Sequence, residues 1–199
     1  MSSNAERIVR RELRSPRSAA IAGIVFALLM TAGMVLTHIV VRSKPETVTR
    51  EWLRTWSGAA DWALVMVPFA GIAFLWFTAV IRDRLGEHED RFFASIFQAS
   101  GTMTVVLFFV WAAVFGALMS APSLTVTRLV DDDVYIFGFA LMSRIIGDYA
   151  LRMAGVCMTA IATLWRRSGV MPRWLIIVTY ILALGFMLAT TWAREARFI

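Results

Sequence analysis

The sequence has few charged residues and lacks the residue types that usually build catalytic or metal sites. Charged side chains make up 17% of its 199 residues, against about 25% in soluble domains. Cys157 is the only cysteine, which excludes an internal disulfide and a cysteine metal cluster. His38 and His88 are the only histidines, and no serine-hydrolase, zinc-protease or phosphate-binding motif occurs. We therefore predict that the protein is not an enzyme and holds no metal or cofactor.

Hydrophobic residues take the place of the missing charge. They make up 59% of the chain, the mean hydropathy is +0.68, and a helix needs about 20 apolar residues to span a bilayer. The sequence therefore predicts an all-α membrane protein, a single domain over residues 1–199 that forms a bundle of five helices in the lipid bilayer. The predicted spans are about 18–41, 59–81, 93–119, 135–165 and 174–192.

The connector between the first two spans, residues 43–58, has the pattern of a short helix of its own. Ser43 is a good N-terminal cap and Gly58 is a good stop. Trp52 and Trp56 share one face, and tryptophan is enriched at the membrane–water interface. We therefore expect an interfacial helix that lies on the bilayer surface.

The basic residues predict an orientation. The net charge is +6, but the arginines cluster at the ends of apolar runs, as topology determinants do, so nucleic acid is not an expected partner. Placing the N-terminus inside puts most of them on the cytoplasmic side, with the largest group before the first span. The strong preference for arginine over lysine favours a GC-rich bacterial genome. We therefore expect a bacterial inner-membrane protein with its N-terminus inside and its C-terminus outside.

Three charged residues lie four positions apart inside the fourth predicted span. Arg144, Asp148 and Arg152 share one helix face, and each intramembrane charge costs roughly 2.5–3.5 kcal/mol on insertion scales. The functional interpretation of this ladder is a polar pathway that attracts anions or handles protons. The structural interpretation is an ion triad that fixes the bundle, with Asp61 at the outer end of the second span as a further counter-ion for Arg144. The sequence leaves both open.

The connector before the third span is dense in alternating charge. Glu87 and Arg91 can pair across one helical turn, and His88, between two acids, is a candidate sensor of cytoplasmic pH. A metal site made of Glu87, His88 and Asp90 is disfavoured, because adjacent helical positions point in different directions. The sequence favours a solvated loop with salt bridges.

The same connector carries a resemblance. The stretch from Leu85 to Ala94, followed by an apolar span, resembles a stretch in a family of uncharacterised multi-pass membrane proteins of bacteria. The resemblance implies a membrane protein and no particular activity.

Three classes of function remain open. A small transporter or channel subunit would use the arginine–aspartate ladder as its polar pathway and would need oligomerisation, since five helices enclose little space. A non-catalytic accessory or scaffold subunit would hold a partner membrane protein through its charged segments. A membrane-embedded sensor would use His88 and the acids around it.

Overall fold

The computed structural model describes residues 16–45, 48–85, 91–124, 132–169 and 171–195. These residues are helical apart from short connections, and they contain no strand. The elements are α1 (Pro16–Arg42), α2 (Arg50–Leu85), α3 (Arg91–Leu124), α4 (Asp132–Arg144), a π-helical segment (Ile145–Ala150), α5 (Leu151–Ser168) and α6 (Arg173–Glu195).

The lengths of these helices match a membrane protein. Among the described residues, four stretches are long and apolar enough to cross a bilayer: Ala20–Arg42, Arg50–Arg82, Arg91–Ser120 and Asp133–Ser168. The last of these runs through α4, the π-helical segment and α5 as one helical rod. α6 covers the fifth predicted span with 23 residues, although its described apolar part, Arg173–Leu188, is shorter. The prediction of an all-helical, multi-pass membrane protein is therefore confirmed.

The predicted interfacial helix is not a separate element. α2 continues from Arg50 through Gly58 into the predicted second span, over 36 residues without a break. Trp52 is buried in a core cluster with Val40 of α1 and Phe115 of α3, and its indole N–H donates to the Ser43 hydroxyl at 3.3 Å. The prediction of a short helix that ends at Gly58 is therefore wrong. The tryptophan face of this segment covers the end of the bundle core. The helix can continue through Gly58 because one glycine inside a helix costs only about 1 kcal/mol relative to alanine.

The helices pack mainly on their neighbours in the sequence, and α3 lies at the centre. α1 packs against α2, and α2 against α3. On its other side α3 contacts α4, the π-helical segment and α5, while α6 packs on α5. One buried cluster surrounds Phe115 near one end of α3, and a second surrounds Phe97 and Ile161 near the other. The rod that carries the charged ladder is thus held along its length by α3.

Small and polar side chains bring α5 and α6 together. A side chain at Gly155 would meet the Ala183 carbonyl oxygen at 2.9 Å, so glycine is needed for this close approach. The hydroxyls of Thr163 and Tyr180 lie 2.7 Å apart in a hydrogen bond between the two helices. The hydroxyls of Thr159 and Thr163 also donate to carbonyls four residues earlier. These threonines therefore satisfy helix–helix and backbone hydrogen bonds.

Candidate functional site: a charged ladder at a π-helical segment

The backbone hydrogen-bond pattern changes within the helix that carries the ladder. Ile145–Ala150 is π-helical, and the N–H of Leu151 donates to the carbonyl of Ile146, five residues earlier. Segments of this kind are rare, and they occur frequently at functional sites. Arg144 directly precedes this wide π-helical turn, Asp148 lies within it, and Arg152 is the second residue after it. The change in backbone geometry therefore coincides with the intramembrane charges.

The structure brings the three ladder residues together through Asp148. The guanidinium Nη1 of Arg144 donates to the carboxylate Oδ2 of Asp148 at 3.0 Å. Arg152 donates through Nη1 to the backbone carbonyl oxygen of Asp148 at 2.9 Å. Asp148 thus engages one arginine through its side chain and the other through its main chain.

The two members of the ion pair differ sharply in exposure. The Asp148 side chain is 11% exposed, whereas that of Arg144 is 60% exposed. Arg144 lies about 18 Å along the rod from Asp132, well inside the apolar stretch Asp133–Ser168. Its bond to Asp148 also directs the guanidinium deeper along the rod, away from the nearer end. An arginine at this depth normally faces protein or water instead of lipid. The structure therefore leaves the Arg144 side chain exposed at a depth where lipid is a costly neighbour.

The other predicted site residues lie elsewhere. Asp61 is exposed on α2, and the described residues contain no ion pair between it and Arg144. The structure therefore does not bring Asp61 to the ladder. Arg91 is the exposed first residue of α3. Glu87, His88 and Asp90 lie outside the described residues, so the interpretation of that connector stays a prediction.

Sequence reasoning missed a pocket between α1, α3 and α4. It is open on one side and has a volume of about 250 Å³. Its lining comes from α1, from α3 and from the rod formed by α4 and the π-helical segment. These elements are distant in the sequence, so no periodic sequence pattern predicts the pocket. The lining residues are Met34, Thr37, His38, Val41, Trp111, Phe139, Met142, Ser143 and Ile146.

The fold and the site together define a multi-pass α-helical membrane protein with an arginine–aspartate ladder at a π-helical turn. No family model, curated protein or solved structure matches the chain. The resemblance seen around Leu85–Ala94 therefore stays a prediction.

Proposed function

We propose that the protein is a subunit of a small transporter or channel, and that its arginine–aspartate ladder lines a polar pathway between subunits. The observation that carries the proposal is the exposed side chain of Arg144, 60% accessible within an apolar spanning stretch. Lipid is a costly neighbour for that group. A second subunit, or water held between subunits, removes the cost.

The chemistry of the ladder favours an anion. Arg144 and Arg152 carry two positive charges against the single negative charge of Asp148, which leaves a positive surplus at the site. Rings of arginine or lysine select anions in membrane pores. Helices that pack mainly on their sequence neighbours enclose little space, so the pathway needs a second copy to close it.

An assembly and flux experiment tests this proposal. The full chain is reconstituted in lipid nanodiscs for mass measurement and in liposomes for anion flux. We expect an oligomer that conducts, and we expect Arg144→Leu to reduce both the assembled mass and the flux. Arg82→Leu is the matched control, because Arg82 is an exposed arginine near the end of α2. A wild-type protein that is monomeric in nanodiscs and conducts no anion would contradict the proposal.

A non-catalytic accessory subunit is the second candidate. Large apolar side chains are exposed on the same rod as Arg144, among them Ile136, Phe137 and Tyr149, and such a surface suits a partner membrane protein that supplies a carboxylate. This candidate predicts a partner that co-purifies from the native membrane with the wild type and is lost with Arg144→Leu. It also predicts no flux from the purified chain alone.

The orientation belongs to the same proposal. We place the chain in a bacterial inner membrane with α6 as the fifth span, the N-terminus inside and the C-terminus outside. The 23-residue length of α6 supports a fifth crossing. A reporter fused after Ile199 should be active on the outer side. Cytoplasmic activity would mean that the chain crosses the membrane an even number of times.

A further inference from the structure

The pocket between α1, α3 and α4 has an apolar floor. Trp111 of α3 and Met142 of α4 are buried at its base, and Met34 of α1 is half-buried in its wall. Thr37 adds little polarity, because its hydroxyl already donates to the Gly33 carbonyl at 2.9 Å. The interior therefore suits a hydrocarbon occupant.

The opening of the pocket is more polar than its floor. His38 on α1 and Ser143 on α4 both line the pocket and are both exposed. Each of these two helices therefore contributes one exposed polar side chain to the lining. An occupant with an apolar body and hydrogen-bonding groups near one end matches this arrangement.

A lysine lies beside the lining of the pocket. Lys44 is the only lysine in the sequence, and its Nζ lies 5.5 Å from the centre of the Phe139 ring. That ring also lines the pocket. Lys44 follows the end of α1, and Arg42 beside it is exposed. Positive charge at the end of the span thus adjoins the apolar pocket.

The dimensions correspond to one lipid chain in one leaflet. From Arg42, the last residue of α1, to Met34 the helix rises about 12 Å, somewhat less than half of the roughly 30 Å hydrocarbon core. The volume of about 250 Å³ holds about eight water-sized groups at roughly 30 Å³ each. A segment of one acyl chain fits, and a second chain does not.

We propose that this pocket binds one acyl chain of an anionic phospholipid, with the phosphate beside Lys44 and the ester region beside His38 and Ser143. The proposal does not depend on the transport role of the ladder. Charge complementarity at the rim distinguishes this lipid from the neutral lipids that surround any membrane protein.

Fluorescence quenching provides the first test. The full chain is placed in phosphatidylcholine nanodiscs that contain increasing fractions of chain-brominated phosphatidylglycerol, or chain-brominated phosphatidylcholine for comparison. The Trp111 signal is the difference between the wild type and Trp111→Phe. We expect the anionic lipid to quench it at about fivefold lower mole fraction, the preference that one basic residue gives near a membrane surface. Lys44→Gln should remove this preference, and Arg82→Gln should keep it.

Chemical labelling of Lys44 provides the second test and does not rely on fluorescence. Because the chain has one lysine, an amine-reactive reagent modifies a single side chain, which mass spectrometry separates from the N-terminus. Phosphatidylglycerol should slow this labelling and phosphatidylcholine should not. Equal quenching by both lipids with unchanged labelling would overturn the proposal. Equal protection by oleate would also overturn it, because the ligand would then be a fatty carboxylate.

Discussion

Asp148→Ala is the substitution that tests the ladder most directly. It removes the carboxylate that accepts from Arg144 at 3.0 Å, and it keeps the backbone carbonyl that accepts from Arg152 at 2.9 Å. The variant therefore removes the side-chain acceptor of Arg144 and leaves the main-chain acceptor of Arg152 in place. Asp148→Asn is the matched variant, because it keeps the size and a neutral acceptor.

The expected magnitude follows from the exposure of the pair. Removing one partner of a fully buried ion pair costs about 3–5 kcal/mol. The Asp148 side chain is 11% exposed and that of Arg144 is 60% exposed, so we expect a loss at or below the low end, about 2–3 kcal/mol. Asp148→Asn should lose less, since it still offers an oxygen to the guanidinium.

Rescue by a second substitution separates the ion pair from other effects. The double variant Arg144→Leu with Asp148→Leu leaves no unpaired charge at the pair and keeps the Arg152 hydrogen bond to the main chain. We expect it to recover most of the lost stability, because apolar replacements of a buried pair are often neutral or stabilising. The stability of all three variants can be measured by heating each one in mixed micelles and determining the fraction that remains monodisperse.

Each outcome of these measurements has a distinct meaning. An Asp148→Ala variant as stable as the wild type would refute the claim that the carboxylate compensates Arg144. If the double variant is as unstable as the single variant, Arg152 depends on the same carboxylate, and only the triple apolar variant will be stable. Flux then decides the role: a stable triple variant that no longer conducts supports the pathway, and one that still conducts supports a structural ladder.

Three further substitutions test the packing. Tyr135→Phe should stabilise the protein by about 1 kcal/mol, because its buried hydroxyl has no hydrogen-bond partner among the residues that the structure describes; a loss of thermal stability would contradict this. Gly155→Val should cost about 1–3 kcal/mol by overpacking, and Gly185→Val should cost less because the space beside it is open. Trp52→Ala should cost about 3–5 kcal/mol in the same unfolding assay, whereas Trp62, which is 66% exposed, should tolerate alanine.

Local patterns were sufficient to predict the spanning helices. In lipid, an apolar run about 20 residues long can satisfy its backbone hydrogen bonds only as a helix or within a closed barrel. The four longest apolar helices overlap the first four predicted spans. The error at Gly58 has a different origin. Whether a helix stops at a glycine depends on what its first turns contact. The burial of Trp52 against α1 and α3 is a long-range fact that no local pattern contains.

The charged site was only partly predictable for a related reason. Four-residue spacing placed Arg144 and Asp148 on one face, and the structure pairs their side chains. The spacing looks the same in an α-helix and near a π-helical turn, so the sequence could not reveal the turn. The predicted partner Asp61 was inferred from its position in the span alone. Its side chain is exposed on α2, a direction set by helix packing.

The π-helical turn also has a packing consequence that can be tested by deletion. Gly138 and Cys157 both face α3: a side chain at Gly138 would collide with Leu118, and Cys157 lies near Gly101. They are nineteen positions apart, about five and a quarter turns of a regular α-helix, so they would face directions about 100° apart. The π-helical turn accommodates one extra residue. The remaining eighteen positions make about five whole turns, so Gly138 and Cys157 face the same direction.

Deleting Gly147 should therefore convert the rod to a regular helix and preserve both contacts with α3. We expect the deletion variant to fold with stability within about 1 kcal/mol of the wild type, since it also removes a glycine from a helix interior. Deleting Ala113, an exposed residue of α3, is the control, because α3 is α-helical throughout and one half of it must rotate away from its partners. If both deletions unfold the protein equally, the wide turn does not set the register, and the charges of the ladder are its remaining explanation.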